Sequence, residues 1–228
     1  MYAYLLGLLE QNEADIAEIM LDVAHGEDHN MSQPDERVRS FEGDDILIHY
    51  FEHNEFAMGL RLYKREIFAR LRFDRGRMNE DVVGGFLALK AARRLVVSNR
   101  LMYYYYSNPV GVSESPLRKC DFDLLYAGER LDELTATNTD ATVRRLAMTK
   151  KHRGPFTLLV KMALFGCSNE LDKQTVKREL QAATRSNYGL LMASGMPINR
   201  KVMLTAACYC YPLLAAAGLA YRAVRRVR

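Results

Sequence analysis

Between Met78 and Tyr106 the sequence sets an acid-led apolar repeat, "MNEDVVGGFLALKAA", directly ahead of two strand-like runs. The first run, Leu95 to Val97, is rich in β-branched residues, and the second, Leu101 to Tyr106, is aromatic. A helix feeding at once into strands is an α/β pattern. The spacing predicts a helix opening at Asn79, a turn around Ser98 and Asn99, and then an aromatic strand. Tyr103 to Tyr106 would alternate between the two faces of that strand. At least half of them are expected to pack, leaving the others to offer hydroxyls or ring faces to a ligand.

The flanking segments extend the pattern. Tyr4, Leu5, Leu8 and Leu9 lie on one helical stripe, Asn12 suits the end of that helix, and "DIAEIMLDV" reads as a strand. Glu10 interrupts the apolar run and no basic n-region precedes it, which disfavours a signal peptide. From His25 to Asp45 the chain is polar and turn-rich and reads as a loop or flap. His25 and His29 beside Glu27 and Asp28 offer metal-ligand chemistry but lack a rigid spacing, so a solvated surface is expected there. Asp44 and Asp45 read as helix N-terminal acids, since Ile46, Leu47, Tyr50 and Phe51 come next at helical spacing.

A basic stretch succeeds them. Arg61, Lys64, Arg65, Arg70, Arg72, Arg75 and Arg77 outnumber Glu66 and Asp74, enough to attract a diphosphate or another anionic ligand if they share a face. Interspersed cations on a solvated surface would look the same. The whole chain, with 32 Lys and Arg against 28 Asp and Glu, carries only +4, too little for nucleic-acid binding to be the expectation. Cys120, Cys167, Cys208 and Cys210 form no C-x-x-C pair and fit reduced thiols. From Leu117 onward the text turns helical, in segments including "DATVRRLAMTKKH", "PFTLLVKMALFG" and "LDKQTVKRELQAAT". Residues 1–116 therefore read as an α/β domain and 117–228 as a mostly α-helical region.

The order of pieces "LRLYKREIF" from Leu60, "LRFDRGRMNED" from Leu71 and "LMYYYYSNPVGVSES" from Leu101 resembles the second half of a family 2 glycosyltransferase of the GT-A type. The resemblance runs to about Glu133 and implies an incomplete GT-A-like, Rossmann-like sheet with flanking helices. It implies transfer of a sugar, with inversion, from a nucleotide-sugar donor to a cell-surface polysaccharide or a glycolipid acceptor. Asp81 would be the base and Glu80 would orient it or touch the acceptor. Arg61, Lys64, Arg77, Tyr104 and Ser113 would serve diphosphate or acceptor binding. Family members hold Mg²⁺ or Mn²⁺ on an Asp-x-Asp motif in an N-terminal βαβ half. Met1 to Leu21 is similar to the helix and strand just after that motif, so the chain reads as truncated, with its donor-binding half missing.

Two features remain open at this level. Gly84 and Gly85 inside a helix cost about 1 kcal/mol each relative to Ala, which points to close packing or to an acceptor passing over that face. The uncharged run "VMLTAACYCYPLLAAAGLAY", 202–221, is long enough to span a bilayer, but Pro212 interrupts it and arginines come after it. A core helix and an interfacial helix meeting anionic lipid through 202–228 are the two readings. The expected setting is cytoplasmic, at the inner face of a membrane; the competing function is a non-catalytic remnant or membrane-surface interaction module.

Overall fold

The computed structural model describes residues 1–24, 35–53, 56–69, 71–106, 111 and 114–225. The chain divides into two compact units, Met1–Asn108 and Pro109–Arg228. The first is a mixed α/β unit. Its elements run α1 (Tyr2–Gln11), β1 (Ile16–Ala24), β2 (Val38–Glu42), α2 (Asp44–His53), β3 (Arg61–Tyr63), α3 (Glu80–Ala91) and β4 (Arg94–Tyr106). Three-ten turns at Met58–Leu60 and Arg65–Phe68 flank β3.

The four strands form one sheet in the order β2-β4-β1-β3, with β1 and β4 parallel and the outer strands antiparallel to their neighbours. Period-two alternation assigns the faces. Ala17, Ile19, Leu62, Val96 and Met102 meet Leu5, Leu8 and Leu9 of α1. On the opposite face Glu18 reaches His49 of α2, and α2 in turn packs on α3 through Tyr50 and Phe86. One helix thus covers one side of the sheet and two cover the other.

No turn forms at Ser98 and Asn99, where the sequence pattern predicts one. β4 runs through these residues as a single strand of 13 residues and absorbs them in a bulge. Val97 lies opposite Glu18 and Leu101 opposite Met20, so β4 spends four steps where β1 spends two. The polar side chains are satisfied in place. Ser98 Oγ lies 2.7 Å from the Tyr4 hydroxyl, while Asn99 accepts from the Arg37 amide at 2.8 Å and donates to the Asp35 carbonyl at 2.9 Å.

The tyrosine run also departs from expectation. Pairing with β2 ends at Ser98 and pairing of β1 with β3 ends at Glu18, so beyond the bulge β1 and β4 continue as a two-stranded ribbon. Tyr103, Tyr104 and Tyr105 are all exposed there, because the layers that would bury alternate rings do not reach so far.

The second unit is helical: α4 (Asp123–Thr135), α5 (Ala141–Phe165), α6 (Lys173–Ser186), α7 (Tyr188–Ala193), α8 (Ile198–Tyr209) and α9 (Tyr211–Arg225). Asp140 and Asp172 cap α5 and α6 by accepting from the Thr142 and Thr175 amides. Two segments expected as separate helices fuse into α5, with Pro155 inside it. Gly154 lies against Leu125 of α4, and Phe156, Leu158 and Leu159 are buried just beyond; this packing offsets the hydrogen bond that proline removes. The long C-terminal run, in contrast, breaks at Cys210, and Pro212 falls in the first turn of α9, where its missing N–H is tolerated. Leu204, Ala207, Cys208, Tyr211 and Leu214 enter the core of this unit. No described helix is long and apolar enough to cross a membrane.

Candidate functional site

The first unit is tied together by a buried ion cluster. Glu18 points off β1 into the layer under α2, where its carboxylate accepts from His49 Nε2 at 2.9 Å and from Arg61 Nε at 2.6 Å. Burial alone would raise the Glu18 pKa, but the Arg61 guanidinium and the His49 hydrogen bond outweigh it and hold the group below the usual carboxylate range. Because an ionised carboxylate only accepts, Nε2 must carry the proton, and Nδ1 is buried with no hydrogen-bond partner among the described residues. The Phe41 ring stacks on the His49 ring with centroids 4.6 Å apart, and the His53 ring lies tilted beside it at 4.1 Å.

Tyr50, one residue further along α2, joins this cluster to the start of α3. Its hydroxyl donates to the Val82 carbonyl. Burial pushes its ionisation up; nearby Arg61 opposes the rise and the Asp81 carboxylate adds to it. Asp81 therefore lies near enough to the Tyr50 hydroxyl to oppose its ionisation.

Helix α3 begins under constraint. Asn79 precedes it in the left-handed region, φ 59° and ψ 31°, and makes no side-chain cap bond. The expected N-cap therefore occupies its position without the usual capping geometry; Asn is among the residues that tolerate this conformation. Glu80 and Asp81 occupy the first turn, Glu80 exposed and Asp81 half-buried. The glycines behind them are explained by packing. A methyl at Gly84 would collide with the Phe73 ring, and one at Gly85 would come within 3.3 Å of Met58 Sδ and 3.7 Å of Tyr50. Tyr63, Phe68 and Phe73 form an aromatic series leading to Gly84, with centroids 5.1 and 6.5 Å apart.

A second polar cluster sits at the other end of the strands. Asp15 Oδ2 accepts from the Arg93 amide at 2.8 Å, and Oδ1 from Lys64 Nζ at 3.1 Å and Arg93 at 3.3 Å. These partners overcome the effect of burial and lower its pKa to about 2. The same residues, with Glu66, Ile67 and Ala91, line an open depression of about 420 Å³.

The residues singled out by the sequence are therefore dispersed. Lys64 belongs to the Asp15 cluster at the C-terminal end of α3, about 15 Å along the helix from Asp81 at a rise of 1.5 Å per residue. Arg61 is buried and its guanidinium serves Glu18. Arg77 is exposed on the turn ahead of Asn79, and Tyr104 is exposed on the ribbon opposite Asp22. Ser113, His25 and His29 lie outside the described residues, as does Arg70. Glu18, His49, Tyr50 and Asp15 carry the electrostatics and were not among the candidate site residues; the available signal was Glu18, which with Asp22 is one of two acids in the otherwise apolar β1.

Among the described residues no group of three or more His, Cys, Asp or Glu converges as a metal site. No protein-family model matches this chain, and no curated protein matches it.

Proposed function

We propose that Met1–Asn108 is the acceptor-side half of an inverting GT-A-type glycosyltransferase, with Asp81 as its base. The observation that carries this reading is the placement of Asp81 in the first turn of α3, behind a left-handed Asn79 and near the Tyr50 hydroxyl. Helix α3 leads directly into β4, so its N-terminus lies toward the carboxyl ends of the parallel pair β1 and β4, the edge where open α/β sheets bind ligands. The helix dipole favours a negative charge at that point.

In the reaction the acceptor hydroxyl gives its proton to Asp81 as its oxygen attacks the anomeric carbon of the donor. The bond to the nucleoside diphosphate breaks as the new glycosidic bond forms, with inversion. Glu80 and Arg77 flank the same turn and would contact the acceptor. Tyr104, on the exposed ribbon, offers a ring face for a sugar. By the resemblance, the donor and its cation are held by the family's N-terminal βαβ half.

Replacement of Asp81 by Asn tests the reading. With a donor-binding βαβ half joined to the chain, transfer from nucleoside diphosphate sugars should be lost in D81N, while acceptor glycans observed by saturation-transfer NMR should still bind and the melting midpoint should move by less than about 2 °C. Transfer retained by D81N, or absence of any glycan or lipid-linked acceptor binding to the chain, refutes it. Calorimetry with nucleoside diphosphate sugars and Mn²⁺ measures separately whether the chain holds a donor.

A further inference from the structure

The unit Pro109–Arg228 carries an outer face that its own packing does not use. On α8, Leu204, Ala207 and Cys208 turn into the core. Ile198, Val202 and Tyr209 follow an outward stripe and are 81%, 64% and 63% exposed. On α9, Tyr211 and Leu214 turn inward, whereas the exposed positions Pro212, Leu213, Ala216, Ala217, Leu219 and Ala220 bear no charge. A surface helix normally sets charged residues opposite its core stripe; α9 sets apolar ones there.

The segment that carries this face is basic. After Glu179 the sequence contains seven Arg and Lys and no Asp or Glu. Arg200 and Lys201 lie in the first turn of α8, beside the exposed Ile198 and Val202.

We propose that the outer face of α8 and α9 docks on an anionic bilayer surface, with Ile198, Val202, Leu213 and Leu219 at the headgroup boundary and the neighbouring basic residues against lipid phosphate. A second copy of the chain is a poorer occupant, since it would bring another acid-free basic segment against the first. Both faces of the helices are thereby accounted for: the inner stripe builds the core and the outer stripe meets lipid. The proposal rests on this unit alone and is independent of Asp81.

The chain contains no Trp, so Leu213→Trp supplies a single fluorescent reporter at an exposed site. On vesicles of phosphatidylcholine with phosphatidylglycerol its emission should shift to the blue and be quenched by brominated lipid, and pure phosphatidylcholine should bind far less. Co-sedimentation should weaken with salt. Leu213→Ser combined with Leu219→Ser should lower partitioning roughly tenfold with an unchanged circular dichroism spectrum. Absence of binding overturns the proposal, as does binding without quenching of the reporter. A blue shift from self-association without vesicles also overturns it and assigns the face to a second copy.

Discussion

Asp15 sits where three strands end: just before β1, beside Arg93 at the start of β4, and across from Lys64 at the end of β3. Replacing it with Asn keeps the shape and removes the charge. In the folded chain the carboxyl is held at about 2 against an ordinary value of 3.8, a difference corresponding to about 2.4 kcal/mol at neutral pH. Arg93 is 85% exposed and Lys64 42%, so solvent screens part of this and about 2 kcal/mol is expected. The folded pKa is depressed, so the contribution is complete above the unfolded value and fades as pH falls toward 2. It should be about 1 kcal/mol at pH 3. Urea denaturation of the parent and D15N at pH 7, 4 and 3 gives the comparison directly. A gap that stays constant with pH, or one below about 0.5 kcal/mol at pH 7, would refute the view that ionised Asp15 fastens these strand ends.

Glu18→Gln should cost about 3–5 kcal/mol in chemical denaturation, because it leaves the Arg61 charge buried without its counter-ion. Glu18→Met combined with Arg61→Met should recover much of that loss; a double variant as unstable as the single would contradict an electrostatic origin. Gly218→Ala should lower stability by about 1–2 kcal/mol despite the better helix propensity, since its methyl would run into the Ala163 backbone, which cannot swing aside. A gain in melting temperature for G218A would mean that α9 packs less closely on α5 than the Ala163 contact requires.

Local pattern carried much of the architecture. The stripe of Tyr4, Leu5, Leu8 and Leu9, the acids Asp44 and Asp45, and Glu80 and Asp81 marked α1, α2 and α3, because burial periodicity and helix-end electrostatics act over a few residues. The same locality explains the misreadings. Ser98 and Asn99 have turn chemistry, yet distant partners, Tyr4, Arg37 and Asp35, satisfy them within a strand. Pro155 and Pro212 are equally strong breakers in the text. One is carried inside α5 by packing on both sides, while the other stands at a true helix start.

For the candidate site, the sequence by itself determined that Asp81 opens a helix and that the two glycines behind it mark either close packing or an acceptor path. Which of the two holds was decided by the tertiary structure, which sets Phe73 over Gly84 and Met58 and Tyr50 over Gly85. It also took Arg61 and Lys64 out of a shared basic surface and gave each to a different acid, Glu18 and Asp15. The reason is physical. Charge and periodicity are properties of a residue and its near neighbours, whereas the partner of a buried charge lies on whichever strand the sheet order brings beside it.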